Sequence, residues 1–183
     1  MSTEIRPLAD DEIISFAQIA LGAYPSISAR PEDVAERMRA EQAENPTTRL
    51  YGCFRDADLL GGMRHHDFTM LFHGSPVPVG GVAMVAVDLL HKKEHVARDL
   101  IRHYLRHYRA AGAPVAALYP FRPDFYRQMG FGYGARLSHY RVGPDSFPAG
   151  PRDHLRHLGG EDLPALLACY ARYARQTHGL FLR

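Results

Sequence analysis

The sequence predicts an α/β fold, with one complete unit reaching about residue 143 and the opening of a further region after it. Three observations carry this reading. Apolar residues recur at helical spacing through the first forty positions, they alternate or run continuously between Thr48 and Val87, and they return to helical spacing from Val96 to Tyr108. With 183 residues, 46% hydrophobic and 23% charged, the chain suits one globular domain, or one with an extra arm; disorder, collagen and coiled coil are excluded.

Ile5 precedes a turn at Arg6-Pro7-Leu8-Ala9-Asp10, after which Ile13, Ile14, Phe16, Ala17, Ala20 and Leu21 mark a first helix that Asp10 or Asp11 can cap. Pro31, the favoured first helical position, opens a second helix behind Ser28 or Arg30, and Pro46 ends it. From Thr48 the period is two, Asp56-Ala57-Asp58 is a turn, and Leu59 to Phe72 reads as a long strand. After His73-Gly74-Ser75-Pro76, Val77 to Val87 is nearly all Val, Ala, Met and Gly, the composition of a central strand covered on both faces. Val96, Ala97, Leu100, Ile101, Tyr104, Leu105 and Tyr108 form the apolar stripe of a helix whose other face carries Arg98, Arg102, His103, Arg106 and Arg109. Val115 to Tyr119 is a short buried strand, Pro123 to Met129 a short helix, and Leu137 to Val142 a last strand. Gly143-Pro144, Pro148 and Gly150-Pro151 make a linker, and a helix from Asp162 follows it with no strand after it.

No stretch approaches the ~18 consecutive apolar residues of a membrane helix, and the charged start MSTEIRPLADDE lacks the apolar run of a signal peptide, so a cytoplasmic location is expected. Cys53 and Cys169 offer no disulfide framework and read as small apolar residues. The formal charge of +2 names no partner, although protonation of all 11 histidines would raise it to +13.

Two segments carry candidate chemistry. In Val85-Ala86-Val87-Asp88-Leu89-Leu90-His91-Lys92-Lys93-Glu94-His95-Val96-Ala97-Arg98 a strand ends in a loop and enters a helix, which presents free N–H groups and the positive dipole end to an anion, with Lys92, Lys93 and Arg98 around it. Residue chemistry alone leaves two readings, a pyrophosphate site or a solvated basic loop. In Phe125-Tyr126-Arg127-Gln128-Met129-Gly130-Phe131-Gly132, Tyr126 is either a proton-donating phenol at a cleft or a core aromatic.

Together the segments are recognisable. The apolar strand with V-x-V, the basic loop, V-A-R opening a helix, and F-Y-x-x-x-G-F-G about thirty residues on resemble the GNAT superfamily of acyl-CoA-dependent N-acetyltransferases. Gly80-Gly81-Val82-Ala83 through Gly134 looks like the N-terminal acetyltransferase region of the enhanced-intracellular-survival (Eis) family, which Ile5-Arg6-Pro7-Leu8, Tyr170-Ala171-Arg172-Tyr173 and Thr177-His178-Gly179-Leu180 also fit.

The resemblance implies a mixed, mostly antiparallel sheet with splayed central strands flanked by helices, over residues 1–143. Residues 144–183 would be a linker and the start of a second, truncated acetyltransferase-like region. It implies acetyl-CoA as cosubstrate, with the backbone of Val85, Ala86 and Val87 on pantetheine and thioester. Lys92, Lys93, Glu94, His95, Val96, Ala97 and Arg98 would take the pyrophosphate, and Tyr126 would protonate the departing thiolate. The reaction would be direct transfer to a primary amine of a small molecule such as an aminoglycoside, or of lysine, in a ternary complex without metal.

The superfamily loop reads Q/R-x-x-G-x-G/A, so the expected glycine is His95 here, and Glu94 stands beside it. A side chain at that glycine hinders close backbone approach, and a carboxylate repels phosphate. Eis-like chains also continue well beyond this length and use their terminal carboxylate at the active site; Arg183 is not assigned that role. The chain is either a fragment or a shorter relative.

His65 and His66 point to opposite faces of a strand, His103 and His107 lie among arginines, and His154 and His157 lack a third ligand, so no metal is expected. Gly130 to Gly134 follows a helix and is no dinucleotide fingerprint, and Ser75 and Ser138 lack a G-x-S-x-G setting. The rival reading is a non-catalytic GNAT-fold binding or sensor module. Nucleic-acid binding by the Arg98/Arg102/Arg106/Arg109 face ranks last because total charge is nearly balanced. No nucleic acid and no membrane partner are expected, and a homo-oligomer stays open.

Overall fold

The computed structural model describes residues 3–134, 138–151, 153, 155–177 and 179–181. The elements are β1 (Glu4–Pro7), α1 (Ile13–Ala23), α2 (Pro31–Glu44), β2 (Thr48–Arg55), β3 (Asp58–Phe72), β4 (Ser75–Val87), α3 (Val96–Ala110), β5 (Val115–Leu118), α4 (Pro123–Arg127), α5 (Leu163–Gln176) and β6 (Leu180–Phe181). They build a mixed α/β sheet in the order β1-β2-β3-β4-β5, antiparallel throughout except for the parallel pair β4/β5.

The elements follow the sequence periods, with local corrections. Neither Asp10 nor Asp11 caps α1. A 3₁₀ turn at Asp10–Glu12 leads into it, and the Glu12 carboxylate accepts from the Ala9 N–H at 2.8 Å and from Arg6 at 2.6 and 2.7 Å. The local reason is reach: Glu12 stands three residues beyond Ala9, where a side chain folds back on the turn's first N–H. Pro31 starts α2 behind Arg30, as its fixed φ favours. Pro76 and Pro78 sit inside β4 opposite Leu71 and Thr69 of β3, before β5 begins to pair at Val79, so their missing N–H groups cost no bond to β5.

Expected and observed structure part company after Gly134. Leu137 lies outside the described residues, and 138–142 holds no strand. Helix α5 is followed by a strand after all: β6 pairs antiparallel with β3 at Met70 and Leu71, beyond the His66 position where β2 stops pairing. Gly179 N–H donates to the Leu71 carbonyl at 2.9 Å, Tyr170 donates to the Phe181 carbonyl at 2.5 Å, and Phe181 packs on Phe68 with ring centroids 4.9 Å apart. A two-residue strand shows no period, so only the vacant edge of β3 defines it.

Two apolar layers cover the sheet. On one face α1 and α2 bury Ile13, Phe16, Ala17 and Met38 against Leu50, Phe54 and Ala86. On the other, α3 buries Val96, Leu100, Ile101, Tyr104 and Tyr108 against Tyr51, Met63 and Val82. β4 is therefore covered from both sides, which accounts for its nearly continuous apolar run. It is interior, but β3 occupies the middle of the strand order. Among the described residues no helix is long and apolar enough to cross a membrane.

Candidate active site

The site begins where the sheet comes apart. β4 and β5 pair from Val79/Val115 to Val82/Leu118, and β4 then runs on to Val87 without a β5 partner. On its other side the register with β3 jumps from Gly62↔Ala86 to Arg64↔Ala83, which gives β4 one extra residue and puts Met84 at φ +50°. This is a β-bulge, and it turns the backbone of residues 84–87 out of the ladder. Tyr104 fastens the closed end of the fork, its hydroxyl lying 2.6 Å from the Gly80 carbonyl and 3.2 Å from that of Ala117.

Beyond Val87, Asp88 accepts from the Leu90 N–H at 2.8 Å and folds the chain into a 3₁₀ turn at Leu89–His91. The loop then reaches α3 through His95, the helix N-cap, at φ +66°. The first turn of α3 thus starts beside the open end of β4, and its leading N–H groups have no intrahelical acceptor. A cavity of about 320 Å³ occupies the fork, lined by Val85 and Val87, by His91, Lys92, Lys93 and His95, by Val96, Ala97 and Arg98, and by Ala23, Tyr24, Phe121 and Phe125. One wall is apolar and aromatic; the other is cationic. Arg98 has a buried Nε with no hydrogen-bond partner, its nearest carboxylate oxygen being Asp99 Oδ1 at 3.6 Å.

Of the residues singled out in the sequence, Val85, Val87, Lys92, Lys93, His95, Val96, Ala97 and Arg98 converge on this cavity. Three do not line it. The Ala86 side chain is buried in the α1/α2 layer. Glu94 is held by Arg55 at 2.8 Å and by His91 Nδ1 at 3.2 Å, hydrogen bonds that keep its carboxyl below the usual range, so its charge is matched by Arg55 instead of facing the lining. Tyr126 is buried and packs edge-on against the aromatic wall, with its ring centroid 5.9 Å from Phe121 and 5.1 Å from Phe125. Burial, and then the neighbouring Tyr24, push its phenol up to about 12. Among the described residues its hydroxyl has no hydrogen-bond partner.

Sequence reasoning missed Tyr24, Ala23, Phe121 and Phe125 as site residues. Tyr24 closes α1, outside the apolar stripe, and its phenol donates to the Val85 carbonyl at 3.1 Å across a separation of 61 residues. A family model for the acetyltransferase (GNAT) domain matches residues 4–134. The chain belongs to the GNAT acetyltransferase family. Over 98% of its length it is 26% identical to an "Uncharacterized N-acetyltransferase" of Streptomyces avermitilis, of which it covers 44%. The GCN5-related N-acetyltransferase of Anabaena variabilis superposes with a TM-score of 0.74 at 19% identity, over 100% of this chain and 45% of that one. The glucosamine-6-phosphate N-acetyltransferase of Arabidopsis thaliana superposes with a TM-score of 0.61 at 14% identity, over 76% of this chain and 99% of its own. At those identities the solved structures establish the GNAT fold. The chain spans less than half the length of the Streptomyces and Anabaena relatives.

Two residues of this loop, Lys93 at φ +71° and His95 at φ +66°, sit in the left-handed region and carry a local cost. A β-carbon in the left-handed region at φ +66° is strained by about 1 kcal/mol or more. His95→Gly is expected to raise stability by roughly 0.5–1 kcal/mol, the relief being partly offset by glycine's greater freedom in the unfolded chain. A urea titration reads this as a higher midpoint at unchanged slope; a lower midpoint would mean that the imidazole holds the loop.

Proposed function

We propose that the chain is an acetyl-CoA-dependent N-acetyltransferase that acylates a primary amine, of a small molecule such as an aminoglycoside or of lysine, by direct transfer. The observation that carries the reading is the fork between β4 and β5, which is apolar along Val85, Val87, Phe121 and Phe125 and cationic at Lys92, Lys93 and Arg98 beside the start of α3. A ligand with an apolar-walled arm and a polyanionic end matches that division of surface. The resemblance to Eis proteins supports the narrower aminoglycoside class. It also supports 1–143 as the acetyltransferase domain and 144–183 as linker and start of a second region.

Acetyl-CoA would supply an acetyl thioester, whose C–S bond breaks as the amine nitrogen forms the C–N bond and CoA leaves as a thiolate. Val85, Ala86 and Val87 would hold the pantetheine arm and thioester through their backbone. Lys92, Lys93, His95 and the N–H groups of Val96, Ala97 and Arg98 would hold the diphosphate, with Glu94 bracing the loop through Arg55. Tyr126, protonated throughout the neutral range because burial raises it to about 12, would give its proton to the departing sulfur, and the proton that the acylated nitrogen loses would return to the phenolate, so that phenol, amide and CoA thiol are all neutral at the end.

Titration calorimetry with acetyl-CoA, followed by thiol-release assays over a panel of amines, tests this. The expected outcome is saturable binding, turnover with at least one amine, and a drop of about 10- to 100-fold in kcat for Tyr126→Phe at little change in cofactor affinity. No binding at millimolar acetyl-CoA would favour the non-catalytic module instead.

A further inference from the structure

We infer that Tyr24 is a positioning residue, whose hydroxyl holds the bulged end of β4 in the conformation that the acyl-transfer site uses. The functional half of this inference rests on the proposed acetyltransferase activity; the structural half does not.

Residues 84 and 85 are the least supported part of β4. The antiparallel register with β3 passes over both, β5 has stopped pairing at Val82, and Met84 sits at φ +50°. A strained backbone persists only where its surroundings hold it. The bond that does so across layers is Tyr24 Oη to the Val85 carbonyl at 3.1 Å. Tyr24 is itself anchored: it is half-buried, and its N–H closes α1 by donating to the Ala20 carbonyl at 2.9 Å. Tyr24 and Tyr104 therefore bracket the fork, Tyr104 at Gly80 and Ala117 where the strands still pair, and Tyr24 at Val85 where they have parted.

The bond also divides labour between the two neighbouring phenols. Tyr24 spends its proton on Val85, and burial raises its phenol so that it stays protonated. The Tyr126 hydroxyl has no such partner among the described residues and keeps its proton available. Tyr24 thus sets the direction of the Val85 peptide, and through it of the strand end beside the cavity, without exchanging a proton.

Amide hydrogen exchange of Val85, Ala86 and Val87 in Tyr24→Phe, measured on the free protein, tests the structural half. The expected result is exchange about fivefold faster at those amides, the equivalent of one lost neutral hydrogen bond, with β1 and β2 unchanged. Steady-state kinetics of the same variant should show kcat lowered about tenfold with the KM for acetyl-CoA within twofold, because the cationic wall is untouched. Unaltered exchange overturns the inference whatever the kinetics show, and faster exchange with unaltered kcat overturns its functional half. If wild-type protein fails to bind acetyl-CoA, the proposed activity falls while exchange still decides whether Tyr24 holds the strand. Tyr24→Leu supplies the same exchange readout if the phenylalanine variant does not fold.

Discussion

Gly80→Ala is expected to cost the fold about 3 kcal/mol, at the upper end for overpacking, and to lower the melting midpoint by roughly 10 °C in a domain of this size. A β-carbon at Gly80 would lie 2.1 Å from Cγ of Tyr108. That ring cannot step aside, because Tyr108 lies on the buried face of α3 and its hydroxyl donates to Asp67 Oδ1 at 2.8 Å. Relief would require α3 to lift from β4, and since α3 opens at the cavity, the cationic wall would move with it. Gly22→Ala makes the internal control. Nothing lies within 4 Å of its added methyl, and the residue is helical, so the same chemical change should raise stability by about 0.5–1 kcal/mol. Thermal or urea unfolding of both variants checks the pair; similar values for the two would show that the Tyr108 contact is not decisive.

Below pH 6.5 the protein should lose stability steeply, and His65 should account for much of the loss. Its side chain is buried under α3, both ring nitrogens lack hydrogen-bond partners, and burial together with His107, His103 and His66 lowers it from 6.5 to about 3. Tyr51, His107, Tyr104 and Tyr108 pack around the ring with centroids at 4.4, 5.1, 5.4 and 5.3 Å. Because the native state holds the imidazole neutral while the unfolded chain protonates it near 6.5, the unfolded state binds more protons as pH falls. The contribution of His65 is thus whole above 6.5 and is lost progressively toward 3, amounting to about 3 kcal/mol by pH 4.5. His66 and His103, also lowered by burial first, act in the same direction. Urea midpoints from pH 7.5 to 4.5 for wild type and His65→Leu test this. The variant should show a distinctly shallower slope, and parallel slopes would place the acid sensitivity elsewhere.

Much of the molecule could be read in one dimension. The stripe of α3, the two-period of β2 and the apolar run of β4 each report which faces are covered, and the loop from Asp88 to His95 is where a strand must hand over to a helix. That handover also located most of the cavity lining, since the start of α3 and the end of β4 adjoin wherever such a unit folds. The expected Leu137 to Val142 strand is the exception: residues 138–142 hold no strand.

By itself, then, the sequence determined the order and type of the main elements, the sheet's buried strand and the cationic loop beside it, because these follow from local period and local charge. Tertiary structure alone decided that Tyr24 reaches Val85 and that Glu94 turns to Arg55. It also decided that Phe121 and Phe125 wall the fork, and that His65 meets His103 and His107 beneath α3. Each of these joins residues from separate elements, and periodicity carries no term for a partner on another element. Which side chains meet across layers depends on the bulge at Met84, the splay after Val82 and the seat of α3 on β4, all of which exist only once the layers have packed.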